Sequence, residues 1–300
     1  MSPLFMYPPL VERDHIRVIL LQPAAARDHK LVASFQHFSL NDHSGLIDPY
    51  TALSYVWGDP TPVDNILLDG QELGITASLG AALRDIRDGD DTHQHTHRLW
   101  ADAVCIDQHN IPERNHQVAL MGQIYSRAGD TVIHLGPLTP QAEIIVHAVL
   151  QWQDAENSLI DEELIIRTTK EWLVVQPWFH RVWVLQELVL SRKAWVQFGP
   201  KRISWHYLCS HLTLLLLRDR LAGEDNMGPT VLESMNEIFL EHLKERISSS
   251  PKETRQRKLS QLLFTRNNCG ATDLRDLVFA HLGIISDRKA ALEYIKIDYN

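Results

Sequence analysis

The segment Pro177-Trp-Phe-His-Arg-Val-Trp-Val-Leu-Gln-Glu-Leu188 places one carboxylate, Glu187, among aromatic and aliphatic side chains. Read as a helix beginning after Pro177, it puts Trp183 one turn before Glu187 and Ser191 one turn after, on one face. Val182, Val184, Leu185, Leu188, Val189 and Leu190 make that helix apolar almost all round, so it is expected to be buried. A carboxylate in such a place must be hydrogen-bonded, ion-paired, or kept at a cost for a chemical task. Two readings stand side by side: a structural ion pair with Arg181 or Arg192, and a site carboxylate.

Further polar residues fall where a parallel sheet would gather them. Ala52-Leu-Ser-Tyr-Val-Trp57 is a short β-prone run stopped by Gly58-Asp-Pro60, and it delivers Ser54, Trp57, Gly58 and Asp59 to its C-terminal end. Leu99-Trp-Ala-Asp-Ala-Val-Cys-Ile106, apolar on both faces except for Asp102, reads as a central parallel strand followed by Asp107 and Gln108. Thr131–Leu135 ends in Gly136-Pro137. Ligands bind in the crevice at the carboxyl ends of such strands. Taken singly, Asp102 reads as a satisfied core carboxylate and Gly58 as a turn residue; the case for a site is their convergence.

Other chemistries find little support. GxGxxG, the phosphate-loop pattern, GxSxG and HExxH are absent. His93, His95 and His97 alternate in a polar stretch with no cysteine or helix face to make them converge, which reads as a solvated loop and no metal site. Cys105 sits among apolar neighbours, where a thiol packs as a small hydrophobe.

The elements that must hold these residues alternate strand and helix signals, the pattern of an α/β domain. Ile66–Leu68 and Glu72–Ile75 flank Asp69-Gly70, a hairpin signal. A helix follows over about 78–87. Asn110, Pro112 and Glu113 mark the start of another, with a capping-box spacing, and Val118, Met121, Gly122 and Tyr125 form its buried stripe. Ala194–Phe198 is one more strand. Two helical insertions span about 141–176 and 205–246, and the polar stretch 248–258 reads as a mobile linker.

Composition limits the partners. In 300 residues, 44% are hydrophobic and 22% charged, ordinary for a globular protein, and the net charge of -9 excludes a duplex nucleic-acid binder. Cys105, Cys209 and Cys269 are odd in number and widely spaced, which fits a reducing compartment and a cytoplasmic location. The N-terminus has no basic region, and the longest aliphatic run, Leu212–Leu217, is far below the roughly 20 residues of a membrane span.

Four ordered motifs carry a resemblance. Tyr50-Thr-Ala-Leu-Ser-Tyr-Val-Trp-Gly-Asp-Pro60, Leu99-Trp-Ala-Asp-Ala-Val-Cys-Ile-Asp-Gln108, Glu113-Arg-Asn-His-Gln-Val-Ala-Leu-Met-Gly122 and Arg181-Val-Trp-Val-Leu-Gln-Glu-Leu188 are similar to the successive motifs of the fungal heterokaryon-incompatibility (HET) domain. Asp273–Gly283 and Ile297–Asn300 fit that family's trailing segments. The resemblance covers about residues 7–300 and extends distantly to TIR domains, because Trp183-Val-Leu-Gln-Glu-Leu-Val189 is similar to the TIR pattern "WCLDELV".

The resemblance implies a flavodoxin-like, TIR-like parallel sheet of about five strands, with an N-terminal β addition, a helical insertion and a C-terminal helical elaboration. It implies a single domain over 1–300, with a core at about 50–200 and helical parts at about 141–176 and 201–300, as the N-terminal part of a longer protein. In function it implies a cell-death effector of non-self recognition. Glu187 is the implied catalytic residue; Ser54, Trp57, Gly58, Asp59, Asp102, Asp107 and Trp183 are the implied substrate contacts, with NAD+ or a related nucleotide as substrate and no cofactor. The chemistry suits a lone carboxylate. The nicotinamide of NAD+ leaves as a neutral ring without an acid, and one anion can steady the ribosyl oxocarbenium. One departure from the TIR pattern is the helical insertion before the Glu187 segment. A death-signalling scaffold with a vestigial pocket is the alternative, and self-association is expected of either.

Overall fold

Strand β3 (Thr51–Tyr55) lies between two parallel neighbours, β6 (His97–Trp100) and β7 (Asp130–His134), and β7 pairs in parallel with β8 (Ala194–Phe198). In β3 and β7 the last four residues are all buried, as expected of strands covered on both faces. The computed structural model describes residues 5–41, 49–89, 95–153, 161–223, 228–247, 257–266 and 269–300.

Among those residues the parallel strands are the centre of one nine-stranded mixed sheet, ordered β5-β4-β2-β1-β6-β3-β7-β8-β9. β1 (His15–Leu21) runs antiparallel to both β6 and β2 (Leu31–Ser39), and β2 runs parallel to β4 (Asp64–Leu68). β4 and β5 (Gln71–Ile75) form the expected hairpin, with Asp69 at φ 49° and Gly70 at φ 78°. β9 (Lys201–Ser204) closes the far edge antiparallel to β8. The sheet is thus wider and more mixed than about five parallel strands. Short strands with local turns carry no sequence mark of the edge they join, and here the hairpin and both N-terminal strands extend the same one.

The helices are α1 (Ala77–Asp88), α2 (Asp102–Cys105), α3 (Ile111–Arg127), α4 (Pro140–Gln153), α5 (Glu162–Thr168), α6 (Val184–Val189), α7 (Trp205–Leu221), α8 (Val231–Ile247), α9 (Leu259–Thr265), α10 (Asp276–Phe279) and α11 (Arg288–Tyr294). α3 and α8 both pack on α6, and α4, α5 and α7 pack on one another. Thr76 caps α1 by accepting from Leu79 N, and Asn110 caps α3 by accepting from Glu113 N. His93 and residues 248–256 of the polar stretch lie outside the described residues.

Three local expectations are corrected. The run Leu99–Ile106 is not one strand: β6 ends at Trp100, and Asp102 opens a helical turn by accepting from Ala103 N through its own carboxylate. The segment after Pro177 is not one helix either. A 3-10 turn covers Pro177–His180, Arg181 is extended, and α6 starts only at Val184. Finally, the Glu113 carboxylate does not return to Asn110 as a capping box would have it; it binds Arg17 and Asp107 N.

Candidate functional site

The expected carboxylate is buried at the end of β3. Glu187 is 3% exposed and Ser54 is 1% exposed. The Ser54 hydroxyl donates to Glu187 Oε2 and accepts from Trp178 Nε1 at 2.8 Å. Trp178 is presented by the 3-10 turn, and Glu187 N donates to Trp183 O at 3.2 Å in the first turn of α6. Two segments from opposite halves of the sequence therefore meet through one hydroxyl.

Burial pushes the Glu187 carboxyl up to about 7, with the Arg181 charge and the Ser54 hydroxyl holding it down and the Asp102 charge adding to the rise. Arg181 is the nearby cation of both carboxyls: it is also the strongest influence opposing the rise that burial imposes on Asp102. Its Nη1 donates to Tyr55 O, which ties it to the end of β3. Asp102 Oδ2 accepts from Trp57 Nε1 at 2.9 Å. The Gln108 side chain donates to Asp102 O at 2.8 Å.

The loop after α2 is stiffened from below. Buried Arg17 grips Glu113 with Nη1 at 2.6 Å and Nη2 at 2.9 Å, and Glu113 Oε1 accepts from Asp107 N at 2.8 Å. A charge-assisted fork of this kind fixes geometry as well as adding energy.

Of the expected site residues, Ser54, Trp57, Asp102, Trp183 and Glu187 are brought together by these contacts. Trp57 and Trp183 are half-buried, each with part of its ring on the core. Gly58 and Asp59 are exposed, and the Asp59 carboxylate turns back to accept from Thr61 N at 2.8 Å. Asp107 is half-buried and lines a separate cleft of about 400 Å³ with Tyr7, Arg17 and Glu113. Ser54 gives its proton to Glu187 and accepts from Trp178, so it holds the carboxylate in place.

The ion-pair reading is resolved in part. Arg192 points elsewhere, its Nε donating to Ser126 O at 3.0 Å, while Arg181 supplies the charge. Cys105 is buried with its thiol pushed up to about 12, so it packs as a hydrophobe. Trp178 and Tyr55 were not read from the sequence as site residues, while Gln108 was placed at the strand end beside Asp107. A signal did exist for Trp178, since a buried indole N–H needs an acceptor and its own segment offers few.

Comparison with known proteins follows the same motifs. Residues 50–187 match the family model described as Heterokaryon incompatibility protein (HET). The chain is 27% identical over 352 residues to "Heterokaryon incompatibility protein 6, OR allele" of Neurospora crassa, an alignment covering 95% of this chain and 50% of that protein. The chain thus spans about half the length of that curated relative. No solved structure matches it.

Proposed function

Because residues 50–187 carry the domain of the heterokaryon-incompatibility (HET) family, we propose that this chain acts in fungal non-self recognition and cell death by cleaving the nicotinamide–ribose bond of NAD+ at Glu187. The parallel strands occur in the order second, first, third, fourth (β6-β3-β7-β8), the order of flavodoxin-like sheets, which supports a TIR-like core. The observation that carries the reading is a buried carboxyl pushed up to about 7 and held by a serine at a strand end, with half-buried Trp183 one turn before it and half-buried Trp57 bonded to neighbouring Asp102.

In the reaction, the bond between ribose C1′ and the pyridinium nitrogen breaks with its electron pair going to the nitrogen, so nicotinamide leaves neutral. The ionised Glu187 steadies the positive charge on the sugar, and Trp57 and Trp183 offer faces for the flat ring. Water adds to C1′ and gives up a proton, leaving ADP-ribose.

The test is NAD+ consumption by the purified protein at high concentration, with the product identified. Glu187→Gln keeps the shape and removes the charge, so it abolishes cleavage while the fold persists; wild-type turnover in that variant makes Glu187 structural. The scaffold reading is favoured by one observation, the near-complete closure of Glu187 to solvent. Absence of turnover at every concentration, with death signalling intact, would establish it. Among the described residues no helix is long and apolar enough to cross a membrane.

A further inference from the structure

Trp178 has no exposed surface, and its one polar atom is committed to the site. The indole Nε1 donates to Ser54 Oγ at 2.8 Å, and the same hydroxyl donates to Glu187 Oε2. A hydroxyl carries one proton, two lone pairs and a freely turning O–H bond. With a donor seated on one lone pair, the rotor is left with its proton towards the carboxylate. Without that donor it has no such restraint.

The indole is fixed from several directions. Its ring lies edge-on to Phe179 at 5.1 Å between centroids and 6.1 Å from Trp205, the first residue of α7. Trp205 is itself tied down, its Nε1 donating to Asn236 Oδ1 of α8 at 3.2 Å. The C-terminal segment clamps the backbone that presents Trp178. Gly270 N donates to His180 O at 2.7 Å and accepts at its own carbonyl from Val182 N at 3.2 Å. Arg266 Nη2 donates to Phe179 O at 3.5 Å and to Arg181 O at 3.0 Å. Gly283 N donates to Gln186 Oε1 of α6 at 2.8 Å. Trp205, Asn236, Arg266, Gly270 and Gly283 all lie beyond the matched stretch 50–187.

We propose that Trp178 is a positioning residue of the site, acting through Ser54 to keep the serine proton on Glu187. A bond accepted by a hydroxyl also polarises it into a stronger donor, so the indole reinforces the hold of the serine on the carboxylate. The helices after β9 thereby reach Glu187 through a tryptophan they pack against. The relay rests on its two hydrogen bonds; its effect on cleavage rests on the NAD+ reading above.

The experiment uses the full chain with Trp178→Phe, Ser54→Ala and the two combined. Phenylalanine keeps an aromatic ring in the cluster and lacks the N–H. Carbon-13 magnetic resonance of side-chain-labelled glutamate follows the Glu187 carboxyl, assigned with Glu187→Gln. In the wild type it titrates at about 7. In Trp178→Phe the midpoint rises by about half a pH unit, roughly threefold in the ionisation constant, because the serine is a weaker donor to the charged form. Ser54→Ala raises it at least as far, and the double variant titrates with Ser54→Ala alone, since the indole has no other route to the carboxylate. Where NAD+ is cleaved, the onset of kcat moves up by the same amount and KM stays. Should Trp178→Phe not fold, the indole N–H signal of Trp178, assigned through its backbone in the wild type, is followed instead. It shifts as Glu187 titrates, and that shift vanishes in Ser54→Ala.

A Glu187 midpoint unmoved in Trp178→Phe, or an indole signal indifferent to Glu187, overturns the relay. A double variant that exceeds Ser54→Ala by the full Trp178→Phe effect also overturns it, because the tryptophan then acts by packing and not through the serine. Titrations that follow the relay in a protein that never cleaves NAD+ uphold this inference and sink the proposed reaction instead.

Discussion

Ser54 donates its hydroxyl proton to Glu187 from 133 residues earlier in the chain, and both are buried where β3 ends. This contact makes a sheet residue the keeper of a helix carboxylate. It also holds down the proton affinity that burial raises, because a donor to the charged form favours ionisation.

Ser54→Ala removes the donor. The Glu187 carboxyl then rises further above about 7, and the pH at which the proposed NAD+ cleavage begins moves up with it. At neutral pH the loss is about fivefold if the shift is about one unit, because the carboxyl starts half ionised. The pH–rate profile of the variant checks this; an onset identical to wild type means the serine has no hold on the carboxylate.

Glu187 also makes stability depend on pH with a definite sign. Its ordinary value is 4.5 and its folded value about 7, so the folded state binds the proton more tightly than the unfolded state. The stabilisation is full below about 4.5 and is lost as pH rises through about 7, a change of about 3 kcal/mol for a shift of this size. Glu187→Gln imitates the protonated form. It should match wild type in thermal melts at acid pH and exceed it above neutrality, with equal melting temperatures at pH 8 refuting the assignment.

Much of this arrangement was legible in the sequence, and the limits are instructive. The apolar surroundings of Glu187 announced a perturbed carboxylate, and the strand run ending at Trp57 announced the edge where it would be met. Asp69-Gly70 fixed the hairpin because both positions need positive φ. What could not be read was anything set by a distant partner. Asp102 looked like a strand residue since its neighbours are apolar, yet its own carboxylate captures Ala103 N and turns the chain. Glu113 had the spacing of a capping box, but Arg17, 96 residues away, outcompetes the neutral amide of Asn110.

Gly283 is a point where the packing of the C-terminal segment on α6 can be tested. A Cβ added there would meet Gln186 Oε1 at 2.1 Å and Cδ at 2.6 Å, and Gln186 is buried, so its amide would have to leave the Gly283 N it accepts from. Gly283→Ala should therefore cost about 1–3 kcal/mol in denaturant unfolding, the usual penalty of overpacking. A neutral result would mean that the contact between the C-terminal segment and α6 yields readily.

Assembly is the remaining variable. The loop 107–110 leads into α3 at Ile111, which is half-buried on an otherwise polar surface. If self-association completes the pocket, specific activity rises with protein concentration by mass action, and Ile111→Asp suppresses the rise without unfolding the monomer. A dilution series with constant activity per molecule would show a site already formed in the monomer.

The bond from Gly283 to Gln186 spans 97 residues, and it has a consequence for synthesis. A ribosome has already released α6 when this brace is still unmade, and at about 5–20 residues per second the interval is roughly 5–20 s. During that time the nascent chain carries Glu187 on a helix that lacks its C-terminal clamp. Under the proposed function, the Glu187 site is thereby still unbraced on the polysome, and competence arrives only with a finished fold.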